Sequence, residues 1–340
     1  MNHYETELCI IGAGPVGLFA VFEAGMMKMG CHVVDTLDMV GGQCSAMYPE
    51  KPIYDIPGYP SILAQALVDR LAEQAAPFSP TYHLGQQVTG IRQEASGKSE
   101  NPAFVVTTSA GTEISCKAIF IAAGCGAFGP NRPPLAGLEE YEGKSIFYMV
   151  AKREAFRGKK IVIAGGGDSA VDWAISLSEL AEKIYVVHRR AKFRCAPESA
   201  ARMEQLAQSS KIEMVVPYQL DGLEGANGQL TGVTVATLEG EKRTLPADML
   251  LPFFGLSMDL GPIAQWGLSL THNHIAVSLP SCETSTKGIF AIGDIASYEG
   301  KLKLILSGFA EAAQAAHAAY KIVHPDVEYH FEYSTSKGVP

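Results

Sequence analysis

Leu8-Cys9-Ile10-Ile11-Gly12-Ala13-Gly14-Pro15-Val16-Gly17 runs directly into Leu18-Phe19-Ala20-Val21-Phe22-Glu23-Ala24. A short apolar run meets G-x-G-x-x-G and passes into an apolar helical pattern, which reads as strand, tight turn, helix. Gly12 permits the turn. Gly14 has no side chain, so a pyrophosphate can approach the backbone. Gly17 lets the helix pack closely on the strand, and the helix N-terminus then offers free N–H groups and a positive dipole end. The next strand, Cys31-His32-Val33-Val34, ends at Asp35, whose carboxylate can accept hydrogen bonds from a ribose.

Further along, Lys160-Ile161-Val162-Ile163-Ala164-Gly165-Gly166-Gly167-Asp168-Ser169-Ala170 repeats the pattern as strand, G-x-G-x-x-A, helix, followed by the strand Lys183 to Val187. Two such units imply two dinucleotides held by two domains. Asp35 follows Gly12 at the interval at which His188 follows Gly165, 23 residues. The second unit therefore carries His188-Arg189-Arg190 where the first has its acid. An acid there suits a free 2′-hydroxyl, and an arginine suits a 2′-phosphate through bidentate pairing. The first site is read as taking a nucleotide without a 2′-phosphate, and the second as taking NADPH.

The 340 residues fit two domains, and 47% hydrophobic residues allow a sizeable core. A net charge of −9 argues against general nucleic-acid binding. The first strand begins within ten residues of Met1, behind Glu5 and Glu7, which predicts no signal peptide. No apolar run is long enough to span a bilayer, so a cytoplasmic protein is expected. Cys9, Cys31, Cys44, Cys116, Cys125, Cys195 and Cys282 include no C-x-x-C and no C-x-x-x-x-C pair. That fits reduced thiols and excludes a local dithiol redox centre, and no metal site is suggested. Cys9 and Cys31 read as packing residues on core strands.

Between the units the chain alternates helix and strand signals. Val40-Gly41-Gly42-Gln43-Cys44 opens a stretch to Pro60 rich in proline and tyrosine, read as an irregular functional loop whose tyrosines can stack on a planar ring. Ser61 to Ala75 reads as an amphipathic helix. Segments at 87–91, 103–108 and 113–116 read as an antiparallel meander, followed by a buried strand 117–124 closing on Ala122-Ala123-Gly124, where small residues admit a cofactor. Residues 212–255 repeat that order of meander and buried strand. Thr286 to Asp294 returns as a strand that delivers Asp294 to a loop, and an alanine-rich helix Ser307 to Val323 follows, its N-terminus free to face an electron-rich group. Gly129-Pro130-Asn131-Arg132-Pro133-Pro134 is the best linker candidate. The expected class is α/β, with two Rossmann-like domains, each a parallel sheet plus an antiparallel meander. Residues 1–127 and 281–340 form one domain, and 128–280 the other.

Together these motifs resemble the two-dinucleotide-domain flavoproteins of the thioredoxin-reductase-like branch. The marks are Gly12 to Gly17, Gly41-Gly42-Gln43, Gly165 to Ala170 with His188-Arg189-Arg190, and Gly293-Asp294. The missing cysteine pairs, the stretch Tyr48-Pro49-Glu50-Lys51 and the tail Tyr333-Ser334-Thr335-Ser336 are similar to the thioredoxin-reductase-like ferredoxin–NADP⁺ reductases. The resemblance implies FAD on the first unit, NADPH on the second, a homodimer, and ferredoxin as partner. It implies that Tyr48 stacks on one flavin face and that Tyr333 covers the other, as a gate, from its own or the partner subunit. The implied FAD set is Gly12, Gly14, Pro15, Gly17, Asp35, Gly42, Gln43, Tyr48, Val88, Ala123, Gly124, Phe128, Asp294 and Thr335. The implied NADPH set is Gly165, Gly167, Asp168, Ser169, His188, Arg189 and Arg190.

In such a protein the flavin does the redox chemistry and side chains need only position it. Lys183, Lys192, Arg194 and Arg202 are candidates for a basic face toward an acidic ferredoxin. The alternatives are an NADPH diaphorase using flavodoxin or a quinone, a flavin monooxygenase, for which no substrate domain is visible, and a non-catalytic FAD sensor, which would not need the second unit.

Overall fold

The structure, a computed structural model, describes residues 2–94, 102–208, 210–328, 335 and 338, with backbone only at 127–129 and 256–258. It divides into two compact units, Met1–Phe128 with Met258–Pro340, and Gly129–Ser257.

The first unit is built on a five-stranded parallel sheet. In spatial order the strands are Ile289–Ala291, Ala118–Ile121, Leu8–Ile11, Cys31–Val34 and Thr81–His83. Successive side chains of a strand point to opposite faces. Leu8 and Ile10 accordingly join a core with the helices Pro15–Met26 and Ile305–Val323, while Cys9 and Ile11 join a second core on the other face. Ala118 and Phe120 divide from Ile119 and Ile121 in the same way. A strand covered on both faces has no polar side, which is why each reads as an unbroken apolar run. Phe120 meets Phe290 edge-on at 5.3 Å with neither ring exposed, so Phe120→Ala would cost about 3–5 kcal/mol.

The second face is covered by the expected meander, Val88–Glu94, Ala103–Thr108 and Glu113–Cys116. A fourth strand, His3–Glu5, adds to it in parallel with Glu113–Cys116. The stretch read as irregular loop contains a short helix, Gln43–Met47, and a strand Pro52–Ile53 paired with Ile62–Leu63. That pairing delays the following helix to Ala64–Ala75.

The second unit repeats the plan. Ile212–Val215, Lys183–Val187, Lys160–Ala164 and Met249–Pro252 form a parallel sheet in that order, accompanied by an antiparallel meander, Gln219–Ala226, Gln229–Ala236 and Lys242–Pro246. The two Rossmann-like units expected from the motifs are thus present. The second crossing lies at Ser257/Met258 rather than at 280/281. Leu260, Ile263, Leu268 and Ile275, on the near side of the expected boundary, are buried in the meander-side core of the first unit.

Candidate functional site

The three glycines of the first turn have three different neighbourhoods. A Cβ on Gly12, which has φ +111°, would lie 2.4 Å from the Ala122 carbonyl oxygen. One on Gly17 would lie 1.9 Å from the Gly12 oxygen, so both are required by the protein's own packing. Around Gly14 nothing lies within 4 Å. That glycine caps the helix Pro15–Met26 with ordinary extended backbone and keeps open space beside the helix N-terminus. The second glycine stretch closes on the first. The Gly41 N–H donates to the Ala13 carbonyl at 2.8 Å, and a Cβ on Gly42 would sit 3.2 Å from the Gly14 Cα.

These turns form the middle of a cavity of about 280 Å³ within the first unit, roughly twenty times the space that one water requires, about 10–15 Å³. Gly12, Gly14, Pro15, Asp35, Gly42, Gln43, Tyr48, Val88, Ala123, Gly124 and Asp294 all line it. Gly17 stands behind the turn. Thr335 is exposed and is not among the lining residues. The Phe128 side chain and Tyr333 lie outside the described residues.

One end of the cavity is set by Asp35. Its Oδ2 accepts the Ala13 N–H at 2.6 Å and its Oδ1 accepts the Leu37 N–H at 2.9 Å. Burial pushes this carboxyl up, opposed by those N–H donors. An ionised carboxylate has about four lone-pair directions, so acceptor capacity remains on both oxygens. Gln87, Ile263 and Trp266 also line the cavity. The Trp266 Nε1 is buried and finds no hydrogen-bond partner among the described residues.

At the other end the Cys44 Sγ lies 4.0 Å from the Tyr48 hydroxyl. Burial pushes the Cys44 thiol to about 11 and drives the Tyr48 phenol well above its ordinary value; Cys125 is also raised by burial. These groups are neutral at pH 7, and the charges present are Asp294 and Lys303, both lining residues. The Lys303 ammonium lies 2.8 Å from His274 Nε2. The glycines, Asp35 and Asp294 are visible from motif spacing. Trp266 and Lys303 are not, because only the tertiary fold brings them to the cavity. Among the described residues no group of three His, Cys, Asp or Glu is placed to hold a metal, and no helix is long and apolar enough to cross a membrane.

In the second unit Gly165 (φ +155°) lies so close to the Phe253 carbonyl that a Cβ would approach to 2.6 Å, and Gly167 caps the helix Asp168–Leu177. Ser169 is in its first turn. The Asp168 Oδ1 accepts the Ala196 N–H at 3.0 Å, which ties the start of this helix to the loop that carries the arginines. The Arg194 N–H donates to Gly166 O at 2.6 Å. Residues 188–196 therefore fold over the glycine turn. The His188 ring packs on Gly166 and 5.1 Å from Phe193. Burial first, then Arg189, Arg190 and Arg194, hold its pKa below the ordinary value. Arg189, Arg190, Lys192 and Arg194 are exposed and form no ion pair among the described residues, leaving a concentrated positive patch at a strand end. Lys183 is instead held by Glu213 at 3.6 Å and by the Ser210 carbonyl at 2.8 Å.

Residues 6–321 match the pyridine nucleotide-disulphide oxidoreductase family. A relative from Paramagnetospirillum magneticum, named ferredoxin–NADP reductase, is 64% identical over 340 residues, covering 100% of this chain and 99% of that protein. One from Rhodospirillum rubrum with the same name is 61% identical, covering 99% and 97%. The thioredoxin reductase of Lactococcus lactis superposes with a TM-score of 0.79 at 25% identity, over 94% of this chain and 99% of that one. With its two nucleotide turns and without a spaced cysteine pair, the chain belongs to the pyridine nucleotide-disulphide oxidoreductase family and, within it, to the thioredoxin-reductase-like ferredoxin–NADP reductases.

Proposed function

We propose that the protein moves electrons between NADPH and a ferredoxin, with FAD in the cavity of the first unit. The observation that carries the cofactor reading is the open space at Gly14. A methyl group would fit there, yet the turn keeps it clear at a helix N-terminus, where N–H groups and the dipole favour phosphate oxygens. Asp35 supplies acceptors for a ribose. Gly12, Pro15, Gly42, Gln43, Val88, Ala123, Gly124 and Asp294 form the walls, and Tyr48 provides an aromatic face at the far end.

Bound there, a flavin supplies the exchange between two-electron and one-electron chemistry. The chain's own residues bind and orient it. The neutral Tyr48 and Cys44 place no net charge beside it, and Asp294 and Lys303 are the acidic and basic side chains on the cavity lining there. In the second unit Gly165, Gly167 and Ser169 build the phosphate turn, and Arg189 and Arg190 recognise the 2′-phosphate beside His188. Asp168 holds the arginine-bearing loop in place. In this reading Tyr333 covers the second face of the flavin, and Phe128 and Thr335 contribute further contacts. The protein works as a cytoplasmic homodimer.

The test is NADPH and NADH oxidation with an artificial dye, followed by cytochrome c reduction with and without added ferredoxin. The proposal expects a yellow protein, preference for NADPH, and cytochrome c reduction that depends on ferredoxin. Equal rates with flavodoxin or a quinone in place of ferredoxin would replace the partner and leave the cofactors standing.

A further inference from the structure

Glu311 lies on the helix Ile305–Val323 and is 3% exposed. Its Oε2 accepts the Gly293 N–H at 2.7 Å, and its Oε1 accepts the Tyr298 hydroxyl at 2.6 Å and the Lys301 ammonium. The Lys301 side chain is 7% exposed and its ammonium stands 5.4 Å above the Tyr298 ring. A full positive and a full negative charge are thus buried together. A buried pair of this kind is weak evidence for added stability, because desolvating both ions opposes their attraction.

The position of the pair suggests another use. Gly293 lines the cavity, and so do its neighbour Asp294 and, beyond the loop, Lys303 and Ile305. The Gly293 backbone is left-handed, φ +76°, and is wedged against Val16, as is Gly308 from the same helix. The Glu311 carboxylate is therefore one hydrogen bond behind the cavity wall, at the end that carries Tyr48 and Asp294. It is screened from water, and Lys301 compensates its charge at contact distance, so removing either partner leaves the other's charge uncompensated behind that wall.

We propose that Glu311 and Lys301 are positioning residues that hold the Gly293–Asp294 turn at the redox end of the cavity, and that their opposite charges set the reduction potential of the group bound there. The inference rests on the reading that this group is FAD. Reduction adds negative charge to the bound group or takes up a proton with it. A nearby cation favours that state and a nearby anion opposes it.

The test compares Glu311→Gln, Lys301→Met and the double variant in the full-length flavin-loaded chain, by visible absorbance and by dye-equilibrated reductive titration. Glu311→Gln is expected to move the midpoint positive and Lys301→Met negative, with flavin content retained and the double variant between them. Each single change should alter the reduced-to-oxidised ratio at the wild-type midpoint about tenfold, about 30 mV for a two-electron couple. A merely structural pair would weaken folding in both variants without opposite shifts. Flavin bound with unchanged potentials, or with both moving the same way, overturns the inference. If Glu311→Gln fails to fold, Lys301→Met and the double variant still differ by the Glu311 charge alone, and coincidence of those two midpoints overturns it equally. A protein that cannot be loaded with flavin fails the functional reading instead.

Discussion

The carboxylate of Asp35 accepts the backbone N–H of Ala13, the middle residue of the first glycine turn, at 2.6 Å. The acid at the end of the second strand therefore holds the turn in shape as well as offering acceptors to a ribose. Asp35→Ala strands the Ala13 and Leu37 donors, at a cost of about 1–3 kcal/mol. Chemical denaturation should show that loss, and flavin should dissociate more readily on dilution. A variant that loses flavin with unchanged stability would show that the turn does not need the carboxylate.

Gly14 and its two partners should separate binding from folding. Gly14→Ala meets no atom within 4 Å and keeps an allowed φ of −70°. The flavin-free variant is expected to melt no lower than the flavin-free wild type, since alanine restricts the unfolded chain by about 0.4–1 kcal/mol. Flavin content should nevertheless fall sharply. Gly12→Ala and Gly17→Ala drive a Cβ into backbone oxygens and should yield little folded protein. Calorimetry and absorbance ratios check both outcomes.

Replacing Arg189 and Arg190 together by alanine removes two exposed guanidinium groups that form no ion pair among the described residues. Charge-assisted contacts are worth about 1.5–3 kcal/mol each, without full additivity. Steady-state kinetics should show KM for NADPH rising roughly 10- to 100-fold, with NADH moved by less than about twofold. Parallel losses for both nucleotides would remove the 2′-phosphate assignment.

His32 Nδ1 and His83 Nε2 lie 2.9 Å apart between adjacent strands, flanked by the Tyr4 ring. Burial lowers both pKa values, and for His32 the neighbouring His83 adds to it. The unfolded histidines take up protons first, near pH 6.5. The stability the pair contributes is therefore complete above that value and is lost as pH falls through the lowered folded values. Melting temperature should drop between pH 7.5 and 5.5, and His83→Gln should drop less.

Five of the seven cysteines, Cys9, Cys31, Cys44, Cys116 and Cys282, are buried, and burial raises Cys31 and Cys282 to about 12. A thiol reagent at pH 7.5 should titrate only Cys125 and Cys195 rapidly in the native protein. NADPH should add none, whereas a dithiol reductase would gain two.

Both glycine turns and the strands that feed them are legible in the sequence because they are local: a few consecutive residues fix the conformation. The doubly buried strands announce themselves as apolar runs for the same reason. The second crossing between units is not legible. Leu260 and Ile263 read as part of the second unit, expected to run to 280, until the meander-side core is assembled around them. Trp266 and Lys303 carry no motif and reach the cavity only through tertiary folding. Asp168 shows both cases. Its register in the motif marks the helix start, while the backbone N–H it holds, that of Ala196 28 residues on, is set by tertiary folding and carries no sequence signal.

The first unit is written in two separated pieces, while the second is continuous. During synthesis the ribosome releases everything the second unit needs before it has made Ile289–Ala291, Asp294 or Glu311. The interrupted unit must wait, its sheet short of one strand and its cavity lacking Gly293 and Asp294. Nascent chains halted just after residue 258 has emerged from the ribosome should therefore resist protease over 129–257 and leave 2–128 exposed, so flavin capture becomes one of the last events in the protein's biogenesis.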